Sequence, residues 1–320
     1  MRALVLEHGR LRVALDQPEP LPAAGEVSVA VHLAGVCATD LALVRGYMDF
    51  CGVPGHEFVG TALAGPLVGR RVVGEINAGC GVCARCLGGD PRHCAERTVL
   101  GIVGRSGAFA ERLVLPGANL LAVPDGVPDE AAVLVEPLAA AYGIAEVLGN
   151  ELPERALVIG DGRLGLLCVL ALADLGLHVD LLGRHVERSA LLGPRARHLG
   201  RALGADEVPR ERYPLVVEAS GKSDLLAAAA RFVEPRGTLV LKTTTEKPVL
   251  VDTAPWVVDE IVVRGSRCGR FAPALAALER GVVPWRAFVT ERHALRDGEL
   301  AFARAATPGV LKVVVDTMSP

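Results

Sequence analysis

Apolar and polar positions alternate from Val27 to Ala34, where Val27, Val29, Val31 and Leu33 interleave with Ser28, Ala30, His32 and Ala34. A period of two predicts a half-buried strand. Met1–Glu7 reads as another short apolar strand, and runs at Arg71–Ile76, Phe109–Leu115 and Leu120–Val123 are set apart by glycine and proline. The chain up to about residue 125 therefore predicts short strands joined by irregular loops.

The texture changes at Pro128. Asp129 and Glu130 open an Ala/Leu/Val-rich segment that runs to Leu148, with carboxylates where they face the positive end of a helix. Short apolar runs follow at Ala156–Ile159, His178–Leu182, Leu215–Val217, Thr238–Leu241 and Ile261–Val263, with helical segments between them. Strands alternating with helices predict an α/β fold with a parallel, doubly wound sheet. No internal repeat or low-complexity tract interrupts the pattern.

Composition narrows the chemistry. The 320 residues are 51% hydrophobic and 22% charged, as in an ordinary globular chain of about two domains. With 34 basic against 37 acidic side chains and 4% aromatic residues, there is neither a basic field nor a stacking platform for nucleic acid. The longest apolar run, Leu164–Ala173, falls well short of the ~20 residues that span a bilayer, and no export signal is evident. The expectation is a cytoplasmic protein with neither a membrane nor a nucleic-acid partner. In that reducing compartment clustered cysteines point to metal rather than to disulfides.

Gly160-Asp-Gly162-Arg163-Leu164-Gly165 fits G-x-G-x-x-G between a predicted strand and a predicted helix. In that setting the first glycine permits a tight turn, the second lets a pyrophosphate approach the backbone, and the third lets helix and strand pack closely. Free N–H groups at the helix start then hold the phosphates. The next strand ends in Gly183 and Arg184, followed by His185 and Arg188, where NAD binders place an acid. Room over Gly183 and a bidentate donor in Arg184 favour NADP over NAD. Asp180 is the competing acid, although it lies inside the strand.

Cys80, Cys83, Cys86 and Cys94 form C-x2-C-x2-C-x7-C in a loop without apolar periodicity. Four thiolates at such spacing close a tetrahedral, saturated and hence structural zinc site. Cys37 in GVCATD and His56-Glu57 in GHEFVG supply sulfur, nitrogen and oxygen donors, and Glu136 in VEPLAAA offers another carboxylate. Three protein ligands leave a position for water or substrate, the arrangement of a catalytic metal. Glu57 and Glu136 stand as alternatives for the third ligand. Cys51, Cys168 and Cys268 read as free thiols.

The order GVCATD, GHEFVG, four-cysteine lobe, VEPLAAA, GDGRLG, VVEASG and GTLVL resembles the zinc-dependent medium-chain dehydrogenase/reductase family, from about residue 2 to about residue 315. The resemblance implies a GroES-like β-barrel catalytic domain (residues 1–137 and 272–320, with a zinc lobe at 79–95) interrupted by a Rossmann domain at 138–271. It matches Cys37 and His56 to catalytic zinc ligands, and Glu57 to a residue that ligates directly in some members. Thr39 matches the hydroxyl that takes the substrate proton, Asp40 the carboxylate that orients the zinc-bound histidine, and Ser220 and Gly221 fall in the cofactor-side motif VVEASG. Where many members carry a histidine ending the proton relay, this chain has Leu41, Ala42 and Leu43. Tyr47, Phe50, Cys51, Cys268 and Arg270 are candidate substrate-cleft residues. The implied activity is hydride transfer between a nicotinamide and an alcohol or carbonyl, with two zinc ions per chain and a homo-oligomer, dimer or tetramer. A zinc-independent NADPH quinone or enone reductase has no use for Cys37 with His56 and Glu57; a non-catalytic NADP-binding sensor leaves Thr39 and Asp40 free to vary.

Overall fold

The computed structural model describes residues 1–149, 152–200, 211–222, 225–244 and 248–319. They divide into two compact units, Met1–Glu136 with Trp285–Pro320, and Pro137–Pro284.

The first unit is built on the strand Glu26–Gly35, whose side chains are alternately half-buried and buried before the last three are buried outright. Val27, Val29, Val31 and Leu33 point inward with at most 6% exposure, each contributing about 1.5–3 kcal/mol of burial. This strand pairs antiparallel with Glu57–Ala62, with Arg112–Pro116 and, through its other end, with Lys312–Asp316. The full order is Leu120–Ala122, Arg71–Gly74, Glu57–Ala62, Glu26–Gly35, Lys312–Asp316 and Val289–Ala294, with Arg112–Pro116 also on the central strand. A hairpin of Ala3–Glu7 with Arg10–Ala14 and a small sheet of Asn77–Ala78, Thr98–Leu100 and Gly104–Arg105 complete the strands of this unit.

The second unit holds six parallel strands in the order Ala196–His198, His178–Leu182, Arg155–Ile159, Tyr213–Glu218, Val233–Leu241 and Val262–Gly265. In chain order this is 3-2-1-4-5-6, the doubly wound dinucleotide-binding arrangement, whose crevice opens beyond the carboxyl end of the first strand. The helix Arg163–Asp174 follows that strand, and its residues from Gly165 to Leu172 are all buried.

Three expectations are corrected. The segment after Pro128 is two helices, Asp129–Ala132 and Val135–Leu148. Pro137 has no N–H to continue the first helix and fits the first turn of a second. Strand Phe109–Leu115 begins only at Arg112, because Phe109 turns its carbonyl to Leu4 N (2.8 Å). The return to the first unit comes at Trp285 rather than at 272. The helix Phe271–Glu279 belongs with the second unit, where Arg280 beyond its end donates to Asp174 (2.6 Å), itself an acceptor from Tyr142 (2.5 Å).

Candidate functional site

Cys37 follows the central strand and caps the helix Ala38–Val44; His56 immediately precedes the neighbouring strand, which Glu57 opens. Pairing of Gly35 with Glu57 brings these segments together. One donor atom each from Cys37, His56 and Glu57 lies within 4.8 Å of the others, with His56 and Glu57 buried. Glu136 falls outside that set.

Asp40 serves both ligand segments. Its Oδ2 accepts from Cys37 N (2.8 Å), and its Oδ1 lies 3.3 Å from His56 Nδ1. The carboxylate thus fixes the turn that presents Cys37 and faces one ring nitrogen of His56 without closing a hydrogen bond to it. Burial alone would lower the His56 pKa, but the charges of Asp40 and Cys37 outweigh it and raise it well above the ordinary value. Glu57 Oε1 is likewise buried without a hydrogen-bond partner, an acceptor left for something outside the protein. Thr39 Oγ1 stands 4.0 Å from Cys37 Sγ.

Sequence reasoning missed what holds Glu57. Lys312, buried in the strand Lys312–Asp316, donates to Glu57 Oε2 and to Val36 O (3.2 Å). The signal was a lone lysine inside the apolar run Leu311–Val315.

The four-cysteine loop closes on itself. Sulfur atoms of Cys80, Cys83, Cys86 and Cys94 lie within 4.8 Å of one another, with Cys83 Sγ 3.6 Å from Cys86 Sγ and 3.7 Å from Cys94 Sγ. A tetrahedron with Zn–S bonds of about 2.3 Å has edges of about 3.8 Å, so the cage fits zinc. Backbone N–H groups of Val82 and Cys83 lower the Cys80 thiol to about 6, which favours the ligating thiolate.

In the second unit the glycine turn is shaped as its sequence predicts. Gly160 has φ +107°, and an added Cβ would lie 2.6 Å from Ser220 Cα; one on Gly165 would lie 1.8 Å from Gly160 O. A Cβ on Gly162 would meet nothing within 4 Å, the open approach that a pyrophosphate needs. Gly162 caps the helix that begins with Arg163 and Leu164, whose first N–H groups face that approach. Across the sheet Gly221 N donates to Thr243 Oγ1 (3.0 Å), and Ser220 N to Glu218 Oε1 (2.8 Å). A dinucleotide therefore fits the cradle.

The ribose end holds two engaged acids. Asp180 is committed to Arg197 (2.9 and 2.8 Å) and to the Tyr213 hydroxyl (2.8 Å). The space over Gly183 is not open, because a Cβ there would lie 2.3 Å from Asp161 Cγ. Asp161 thus stands at the strand end where the NADP expectation placed open room. Arg184 is exposed, His185 half-buried and Arg188 buried.

The alcohol dehydrogenase GroES-like domain family matches residues 23–125. The doubly wound sheet and relatives that match along nearly the whole chain support the resemblance to the zinc-dependent medium-chain dehydrogenase/reductase family. Among curated proteins, the L-threonine 3-dehydrogenase of Streptomyces coelicolor is 29% identical, over 99% of both chains. Among solved structures, the alcohol dehydrogenase RspB of Escherichia coli CFT073, complexed with cofactor NADH, superimposes with a TM-score of 0.86 at 26% identity over 99% of each chain. A zinc-binding dehydrogenase of Sinorhizobium meliloti 1021, bound to NADP, gives 0.82 at 25% identity over 98% of each. No helix among the described residues is long and apolar enough to cross a membrane.

Proposed function

We propose that this chain is a zinc-dependent, nicotinamide-linked dehydrogenase that interconverts a small alcohol and its carbonyl compound. The observation that carries the reading is the buried convergence of Cys37, His56 and Glu57, with Asp40 facing two of them. A metal held there supplies Lewis acidity to the substrate oxygen, and a dinucleotide on the glycine turn supplies the hydride donor or acceptor. Thr39 relays the substrate hydroxyl proton, giving up its own to water as it takes the substrate's, while Asp40 faces the His56 ring and Lys312 neutralises Glu57. Gly160, Gly162 and Gly165 shape the phosphate cradle. The loop of Cys80, Cys83, Cys86 and Cys94 would hold a second, structural zinc.

The same reading includes a homo-oligomer. Val262–Gly265 is the edge strand of its sheet, and Val262 and Val263 are 41% and 37% exposed, an apolar edge of the kind that pairs with a second copy.

Elemental analysis of the purified protein with assays of NADH and NADPH oxidation against aldehydes, ketones and sugars tests the proposal. The expected result is about two zinc per chain and metal-dependent turnover. Loss of every zinc on removing the cysteine loop alone would refute the open site.

A further inference from the structure

At the turn between Gly160 and Gly162, Asp161 is only 7% exposed and its side chain reaches across to the end of the strand His178–Leu182. Its Oδ2 accepts from His185 N (2.6 Å) and approaches His198 Nε2 (3.3 Å); its Oδ1 takes His185 Nδ1 (3.0 Å). The Arg188 guanidinium donates to Asp161 O, and its Nη1 lies 3.9 Å from Oδ1. Burial would raise the Asp161 pKa, but the hydrogen bonds from His185 and the charge of Arg188 outweigh it, and the group is held ionised.

Its location is the informative point. An acid at position 183 would begin its side chain where Asp161 Cγ now lies, since a Cβ on Gly183 would fall 2.3 Å from it. The missing strand-end acid and the extra turn acid are two halves of one exchange. We propose that Asp161 is the specificity-determining residue for the dinucleotide, taking the ribose-reading role of the absent strand-end acid, and that the chain prefers NAD to NADP.

The physical grounds are charge and acceptor capacity. A carboxylate offers about four acceptor sites, and among the described residues His185 and His198 occupy three, which leaves one for a ribose hydroxyl. A 2′-phosphate at that hydroxyl would meet an ionised carboxylate in a poorly solvated corner. Arg184, exposed beyond it, does not remove that repulsion, while Arg188 is already turned to Asp161. The inference rests on the dehydrogenase reading above.

Isothermal titration of the zinc-loaded protein with NADH and with NADPH, without substrate, tests it. Wild type should bind NADH about tenfold or more tightly than NADPH. Asp161→Asn should narrow that ratio about fivefold or more, and Asp161→Gly combined with Gly183→Asp, which clears the Cβ of residue 161 and returns the acid to the strand end, should restore it. Equal or tighter binding of NADPH by wild type overturns the proposal even if neither variant folds. An unchanged ratio in folded Asp161→Asn overturns it as well. Binding of neither dinucleotide by wild type would overturn the dehydrogenase reading itself.

Discussion

Lys312 and Glu57, 255 residues apart in the chain, form an ion pair in which both side chains are at most 3% exposed. Such a pair is tolerated because each partner removes the other's desolvation cost; removing one leaves an uncompensated buried charge. Lys312→Met should therefore destabilise the metal-free protein by about 3–5 kcal/mol in denaturant titrations, and Lys312→Met with Glu57→Gln should recover much of that loss. If the double variant were no more stable than the single one, the two charges would not be energetically coupled.

Asp40 joins two functions that mutation can separate from proton transfer. Asp40→Asn keeps an acceptor for Cys37 N but turns an amide toward His56, so zinc affinity should fall about 10–100-fold in chelator competition. Thr39→Ala should lower kcat about 100-fold or more while leaving bound zinc unchanged.

The glycines of the turn should fail differently. Gly165→Ala forces a methyl group against Gly160 O, so the melting temperature of the unliganded protein should drop. Gly162→Ala meets open space and should melt like wild type, yet it should bind NADH about tenfold more weakly because the methyl group fills the pyrophosphate approach. Equal melting temperatures for all three proteins would contradict this division of labour.

Asp316 predicts a pH dependence. Burial would raise its pKa, but the Ser319 hydroxyl, Arg292 and the N–H groups of Met318 and Ser319 hold it down at about 2, against an ordinary 3.8. A carboxyl with a depressed folded pKa stabilises above its ordinary pKa and loses that contribution as pH falls through the folded value. Wild type should exceed Asp316→Asn by about 1 kcal/mol at about pH 7, and the gap should shrink between about pH 4 and pH 2 in denaturant titrations.

Local chemistry was legible in the sequence wherever near neighbours carry it. Alternation marked the strand Glu26–Gly35, four cysteines in a short loop marked their cage, and glycine spacing marked the turn between strand and helix. What escaped depends on side-chain direction or distant pairing. Asp161 occupies a variable position of its motif, and only the turn's geometry carries its carboxylate over Gly183. The Lys312–Glu57 pair requires strands from opposite ends of the chain. Spacing leaves Glu57 and Glu136 as alternatives, and only the pairing of Gly35 with Glu57 shows that Glu57 lies beside Cys37 and His56.

The strand Lys312–Asp316 lies between Glu26–Gly35 and Val289–Ala294 and carries the counter-charge of Glu57. On the ribosome, this last strand emerges after the whole of Pro137–Pro284. The inserted unit has all of its strands in hand and can fold first, while the unit bearing Cys37 and His56 waits with an unpaired sheet edge and an uncompensated acid. Long-range closure of that kind is slow, so zinc loading at Cys37 and His56 is expected to be among the last events in maturation.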